Sequence, residues 1–124
     1  MLAMHAVALT HAFERAASEA GMTVDEIERL VNFLSENPTA GDVIPGTGGC
    51  RKVRVAKPGK GKRGGYRTIT FYSGEQMLVF LMTVFAKGER ANLSRKECNR
   101  LRETTKAIVA AYRERVAPIA KKGA

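Results

Sequence analysis

The sequence predicts an α+β fold in which two helices precede a small sheet and one helix follows it. Two capping-box patterns, Thr23 with Glu26 and Ser94 with Glu97, mark the starts of two helices. Between them lie three runs rich in β-branched and aromatic residues, as is typical of strands: RKVRVA, YRTITFYS and MLVFLMTVFA. A chain of 124 residues is long enough to bury one hydrophobic core, so we expect a single domain over residues 1–124.

The N-terminal part predicts two short helices. Residues 4–9 fit either an edge strand or the run into a helix, and the sequence leaves both open. Thr10 is placed to cap the first helix, which Gly21 ends. The second begins at Thr23 and stops at Asn37, because a residue that precedes proline avoids the helical conformation. These helices carry most of the acidic residues, so we expect them on the sheet face away from the basic side.

The predicted sheet begins with a strongly basic strand. Alternation along Arg51–Ala56 puts Lys52 and Arg54 on one face and Val53 and Val55 on the other. Upstream, residues 39–49 form a glycine-rich connection with room for a short strand at positions 43 and 44. The run from 77 to 86 is apolar at nearly every position, so we expect the central strand there, covered on both faces.

A second cationic segment joins the strands. The loop predicted over residues 57–65 holds four glycines and four cations, and it fits contact with phosphates as well as a solvated hairpin loop. The last helix is predicted from Ser94 to Tyr112, with a narrow apolar face that makes it the element most ready to move. Residues 118–124 are expected to form a disordered tail.

Charge is distributed very unevenly along the chain. Residues 1–44 hold two basic and seven acidic side chains, a net charge of −5, whereas residues 45–124 hold nineteen basic and five acidic ones, a net charge of +14. Such an asymmetry indicates a polyanion such as nucleic acid, or an acidic protein partner; an idle basic surface is the alternative.

Other site classes find little support. The two cysteines do not form a disulfide framework and favour a reducing cytoplasm, with both thiols acting as small hydrophobes. The two histidines lack partners at metal-ligand spacing, so we expect no metal and no other cofactor. No signal peptide or membrane segment is predicted.

The order and spacing of several motifs carry a family resemblance. Residues 24–112 contain IPGTGG, RKVR, GGYR and the turn FAKGE followed by LS. In this order they resemble the RelE/HigB superfamily of toxin–antitoxin toxins, and the amino-acid sequence of the motifs is similar to that of the HigB-like branch. The resemblance implies a small twisted antiparallel sheet with helices on one face and a basic concave surface on the other. It also implies an endoribonuclease (mRNA interferase) that cleaves mRNA in the ribosomal decoding site, inhibits translation and arrests growth until an antitoxin silences it.

The resemblance also assigns site residues. The family's two basic residues on the first hairpin strand match Lys52 and Arg54, its arginine after Gly-Tyr matches Arg67, and its basic residue after the last strand matches Lys87. The family prototype has an arginine directly after that lysine, where this chain has Gly88. The catalytic tyrosine of the prototype falls near Ser94, so the identity of the base stays open. The remaining cations are expected to bind RNA: Arg51, Lys57, Lys60, Lys62, Arg63 and Arg90.

The basic stretch suits metal-free RNA cleavage. Attack by a 2′-hydroxyl on the adjacent phosphate needs a base, an acid and positive charge beside the phosphorane. Neighbouring cations lower the pKa of a lysine, so Lys52, flanked by Arg51 and Arg54, is the candidate base. Arg54 and Arg67 would clamp phosphate oxygens, and Lys87 would offset the charge of the leaving group.

Two alternative functions stay open at this point. One is a toxin of the same fold that acts on DNA gyrase without cleaving RNA. The other is a non-enzymatic RNA- or DNA-binding module. The expected partners are mRNA, the ribosome and an acidic, HigA-like antitoxin protein, with no membrane contact.

Overall fold

The fold is known from a computed structural model, which describes residues 5–57, 61–74, 78–86 and 92–122, without the side chains of 57, 61–64 and 112–122. Its elements confirm the predicted α+β class. In chain order they are β1 (Ala6–Leu9), α1 (His11–Ala20), α2 (Val24–Glu36), β2 (Asp42–Val43), β3 (Arg51–Lys57), β4 (Gly61–Ser73), β5 (Leu78–Ala86) and α3 (Arg95–Lys122).

The strands form one mostly antiparallel sheet in the order β1-β5-β4-β3-β2. β1 lies parallel to β5 at one edge, which resolves residues 6–9 as an edge strand, and all other pairs are antiparallel. β5 is buried on both faces, as predicted, but the expectation that it is the central strand was wrong. β4 is central, because the short β2 adds a strand on the far side of β3.

The predicted helix ends are confirmed by their hydrogen bonds. The Thr10 hydroxyl accepts from the backbone N–H of Phe13 at 3.1 Å, and Gly21 ends α1 with a φ of +78°. Thr23 and Glu26 form the reciprocal capping box of α2 at 3.1 and 2.9 Å. Ser94 and Glu97 form that of α3, also at 3.1 and 2.9 Å. Local capping chemistry therefore sets the start of all three helices.

Two other boundaries differ from the prediction. The β3–β4 connection is shorter than the loop expected over 57–65, since β4 begins at Gly61, which pairs with Lys57. The last helix runs past Tyr112 to Lys122. The expectation of a disordered tail over 118–124 stays a prediction.

Helices pack on both faces of the sheet. α1 and α2 cover the face that presents Val53, through a core that includes Phe13, Leu30 and Leu34. This confirms that the two acidic helices lie away from Lys52 and Arg54. α3 packs on the opposite face, where its apolar side chains meet a second core: Ile69, Phe71, Phe80, Met82 and Phe85. The expectation that all helices pack on one face and leave the basic face uncovered was therefore wrong. α3 covers part of the basic face.

Candidate nucleic-acid interface

The strand register brings three of the predicted site cations onto one face. Arg54 on β3 lies directly opposite Arg67 on β4, and Lys52 lies opposite Ile69. Because directly opposed residues point to the same side of a sheet, Lys52, Arg54 and Arg67 share the face that carries α3. A bond from the Thr68 hydroxyl to the Val53 carbonyl, at 2.9 Å, ties the strands together between these two positions.

The two arginines of this rung differ in exposure. Arg54 is exposed, whereas Arg67 is only 7% exposed and lies between Arg54 and Phe85 of β5. The Nε and Nη1 atoms of Arg67 are buried and have no hydrogen-bond partner among the described residues. Like charges directly opposed across two strands repel, and buried unpaired donors cost free energy. An anion bound beside the two arginines would offset the repulsion between their charges.

Lys52 stands where the sheet meets the start of α3. It lines a small cavity of about 90 Å³ together with Phe85, Leu93 and Cys98. The sequence located the start of this helix but gave no sign that the helix borders Lys52, because a capping box does not report the face on which a helix packs. Lys52 is half-buried, so part of its stem contacts apolar side chains while its charge can still reach solvent.

Arg51 belongs to a different part of the molecule. Its Nη1 donates to the backbone carbonyls of Thr39 and Gly41, at 3.1 Å each, and so holds the connection that precedes β2. It alternates with Lys52 along β3 and therefore faces away from the site. Of the two arginines that flank Lys52 in the sequence, only Arg54 therefore shares its face of the sheet.

Several predicted site residues cannot be placed. Lys60, Lys87 and Arg90 lie outside the described residues, as do the side chains of Lys57, Lys62 and Arg63. Their roles stay predictions.

The two tyrosines of β4 turn away from the cations. The Tyr66 hydroxyl lies 3.4 Å from Glu26 Oε1, and burial together with that carboxylate raises its pKa. The Tyr72 hydroxyl lies 3.0 Å from His5 Nε2. Both belong with the α1–α2 core, so neither stands beside Arg54 and Arg67. Ser94, where the family prototype has its tyrosine, caps α3.

Metal-binding and thiol chemistry find no support among the described residues. Within 5–57, 61–74, 78–86 and 92–122, no group of three or more His, Cys, Asp or Glu side chains is arranged to hold a metal ion. Burial raises the pKa of Cys50 to about 11, so this thiol stays protonated at neutral pH and is a poor nucleophile. No helix in the described part of the chain is long and apolar enough to cross a membrane.

Comparison with known protein families gives a match over nearly the whole chain. The sequence profile of a family described as the RelE toxin of the RelE/RelB toxin–antitoxin system matches residues 5–124. Among solved structures, the chain is similar to the toxin–antitoxin complex RelBE of E. coli, with 19% identity over 65% of this chain and 94% of that one and a TM-score of 0.49. The E. coli RelE toxin in the free state, as an arginine-to-alanine double mutant, has 20% identity over 66% and 82% of the two chains and a TM-score of 0.46. The RelBE2 complex of Mycobacterium tuberculosis has 16% identity over 74% and 98%, also with a TM-score of 0.46.

Proposed function

Because the chain belongs to the RelE family of toxins from toxin–antitoxin systems, we propose that it is a ribosome-dependent, metal-free mRNA endoribonuclease. In this role it cleaves messages during translation, inhibits protein synthesis and arrests growth. We place it in the HigB-like branch and in the cytoplasm, where an acidic, HigA-like antitoxin silences it.

The observation that carries this proposal is the rung formed by Arg54 and Arg67. Two arginines at directly opposed positions of neighbouring strands, on one face of the sheet, are placed to hold a phosphate. Arg54 is exposed and can meet an incoming phosphate, and Arg67, whose Nε and Nη1 have no partner among the described residues, lies opposite it. Charge-assisted bonds to a phosphate are about twice as strong as neutral ones, so the rung would fix the position of one phosphate along an RNA chain.

A cleavage reaction follows from this placement. The 2′-hydroxyl of the preceding nucleotide attacks the clamped phosphate, the 5′-oxygen of the next nucleotide leaves, and a 2′,3′-cyclic phosphate forms. Arg54 and Arg67 stabilise the charge that develops on the phosphorane oxygens. Lys52, on the same face, is the nearest described candidate to take the proton from the 2′-hydroxyl, and Lys87 is proposed to offset the charge of the leaving oxygen.

Such a site depends on an aligned substrate. It offers cations but no histidine and no described tyrosine beside them, so little of the rate can come from proton transfer to a side chain. Holding the 2′-hydroxyl in line with the phosphate can lower the barrier by about 7–11 kcal/mol. A ribosome that presents a stretched codon supplies this alignment, and we propose it as the reason for ribosome dependence.

Primer extension on a defined message tests the proposal against its two alternatives. We expect new 5′ ends only in a translation reaction that contains both the protein and ribosomes. Cleavage of the naked message would contradict ribosome dependence. RNA binding without cleavage would favour a binding module, and inhibited DNA supercoiling without cleavage would favour the gyrase-type toxin.

A further inference from the structure

The side chain of Lys52 lies between two segments that are far apart in the sequence. Its cavity is bordered by Ile44, from the connection between β2 and β3, and by Leu93 and Cys98, from the start of α3. Pairing of β3 with its neighbours fixes the backbone of Lys52, but its side chain has a flexible aliphatic stem. The direction of the amine therefore depends on how these two walls of the cavity are held against each other.

Thr47 organises the wall that the β2–β3 connection forms. Its side chain is fully buried, and its hydroxyl donates to the Ile44 carbonyl at 2.6 Å and accepts from the backbone N–H of Cys50 at 3.0 Å. The backbone N–H of Ile44 in turn donates to the Cys50 carbonyl at 2.8 Å. Ile44 is thus held by two hydrogen bonds within this connection, and one of them comes from Thr47.

Thr105 joins α3 to the same connection. It is buried, and its hydroxyl lies within hydrogen-bond distance of two carbonyls, that of Thr47 at 3.3 Å and that of Arg102, within the helix, at 2.9 Å. Gly48 lies so close that a Cβ there would collide with Thr105 Oγ1. A buried polar contact between Thr47 and Thr105, which we call the threonine clasp, therefore connects the two segments that border Lys52.

We propose that the threonine clasp positions Lys52: it holds the two walls of the cavity together and so directs the amine toward the 2′-hydroxyl of the RNA. The inference rests on the proposed function in taking Lys52 to be the base of the cleavage reaction. Both threonines are buried, so they act through the walls and not by contact with RNA. A hydrogen bond suits this role because it depends on distance and direction, whereas apolar packing is non-directional.

The phosphate clamp does not depend on the clasp. Arg54 and Arg67 stand at paired positions of β3 and β4, which the strand ladder itself fixes. Loss of the clasp should therefore leave RNA binding intact and misdirect only Lys52. In kinetic terms, the maximal rate of cleavage falls while the half-saturating concentration stays the same, as expected for an interaction that is made only in the transition state.

Two adjacent threonines provide the test variant and its control. Thr105→Val keeps the shape of the side chain and removes the hydroxyl that reaches Thr47. Thr104→Val removes an exposed hydroxyl whose bond, to the Arg100 carbonyl at 3.0 Å, stays within the helix. Single-turnover cleavage on programmed ribosomes, measured at increasing protein concentration, gives both the maximal rate and the half-saturating concentration.

The expected results differ between the variants. Because proton transfer supplies only part of the acceleration, Thr105→Val should lower the maximal rate by about tenfold, with the half-saturating concentration unchanged within about twofold. Thr105→Ser, which keeps the hydroxyl, should restore most of the rate, and Thr104→Val should match the unmodified protein. An unchanged maximal rate in Thr105→Val, or a loss that appears only in the half-saturating concentration, would overturn the proposal.

A second readout does not require cleavage. Carbon-13 relaxation at Cε of Lys52, in free protein labelled at lysine, reports how tightly the side chain is held. Its order parameter should fall in Thr105→Val and stay unchanged in Thr104→Val, and an equally ordered Lys52 in both variants would overturn the proposal. If the unmodified protein does not cleave RNA, the proposed function fails, and the relaxation measurement still decides whether the clasp holds Lys52.

Urea unfolding establishes that each variant is folded under the assay conditions. If Thr105→Val is not, Gly48→Ala takes its place, because the added Cβ disturbs the clasp from the side of the connection. Gly46→Ala is its control, since a Cβ there meets nothing within 4 Å. Gly48→Ala should show the same fall in the maximal rate and in the order of Lys52, and equal behaviour of the two glycine variants would overturn the proposal.

Discussion

Two nitrogen atoms of the Arg67 guanidinium group are buried without a hydrogen-bond partner among the described residues. Because such burial costs free energy, replacing Arg67 should change the stability of the protein. We expect Arg67→Met to raise the free energy of unfolding by about 1–3 kcal/mol, because an apolar chain of similar length removes unpaired buried donors. The same variant should abolish growth arrest. Urea unfolding in buffer without phosphate or sulfate measures the first effect, and growth after induction measures the second.

The control for this prediction is Arg15→Met, which removes an exposed charge from α1 on the other side of the sheet. Its free energy of unfolding should stay within about 0.5 kcal/mol of that of the unmodified protein. Its toxicity should be the same as that of the unmodified protein. A clear loss of stability in Arg67→Met with arrest retained would mean that Arg67 is a structural residue and not a phosphate ligand.

Cys50 predicts how stability responds to alkaline pH. Burial raises its pKa from 9.0 to about 11, so the folded state holds the proton more tightly than the unfolded one. The stabilisation is complete below pH 9 and is lost as the pH rises from 9 to 11, by about 1.4 kcal/mol for each pH unit. In urea unfolding under reducing conditions, the free energy of unfolding of Cys50→Ala should decline less steeply between pH 9 and 11 than that of the unmodified protein. An identical decline would mean that other groups cause the loss of stability, and Tyr66, whose pKa is also raised, is one candidate.

At the scale of elements, α3 is held by more than its narrow apolar face. The Thr105 hydroxyl, buried in the helix interface, donates to the Thr47 carbonyl at 3.3 Å, and Gly48 packs directly against it. A Cβ at Gly48 would collide with Thr105 Oγ1. We therefore expect Gly48→Ala to loosen the middle of α3, and faster amide hydrogen exchange over residues 98–111 would show it.

Gly46 provides the matched control for this prediction. It has nearly the same backbone conformation, with φ of +81° against +78°, but an added Cβ there meets nothing within 4 Å. Both alanine variants carry the strain of a left-handed residue, about 1–2 kcal/mol, and only Gly48→Ala adds the collision. Equal exchange in the two variants would mean that the Thr47–Thr105 contact does not anchor the helix.

The elements that sequence predicted correctly are those with local signals. Caps at Thr10, Thr23 and Ser94 and alternation around Lys52 and Arg54 act within a few residues, so both survive into the fold. The face taken by α3 depends on long-range pairing. A register shift in the β4–β5 ladder, which leaves Met82 unpaired between Leu81 and Thr83, helps build the second core on the cationic face.

Charge density along the chain does not report the face on which each cation lies. Arg51 was included because it lies in a dense basic run, yet alternation turns it away from Lys52 and toward backbone carbonyls. Arg67 lies on the same face as Arg54, but its burial could not be inferred from the sequence, because it depends on the neighbours Phe85 from β5 and Arg54 from β3. The pattern along one strand predicts the face on which a side chain lies, but it does not predict which residues of other elements cover that side chain.

At the scale of the whole molecule, the charge asymmetry predicts how the protein meets an acidic partner. The acidic α1–α2 layer and the Lys52–Arg54 face lie on opposite sides of the sheet, so the molecule has a strong electrical polarity. Added salt should slow association with an acidic antitoxin markedly and change dissociation little, because apolar contacts at an interface core are not screened. Stopped-flow association rates and chase-dissociation rates measure both effects between about 50 and 500 mM salt, a range over which the Debye length shortens about threefold. Association rates that ignore salt would contradict this account.

In the proposed reaction, one face of this sheet clamps an RNA phosphate while the adjacent 2′-hydroxyl attacks it. The most direct test is a translation reaction on a message that carries a single 2′-deoxynucleotide at a mapped cleavage position. We predict that cleavage disappears at that position and persists at the others, and that the remaining upstream fragments end in a 2′,3′-cyclic phosphate, with no cleavage by Arg54→Ala at any position. Undiminished cleavage at the deoxynucleotide would show that water or another nucleophile attacks the phosphate and would contradict the account.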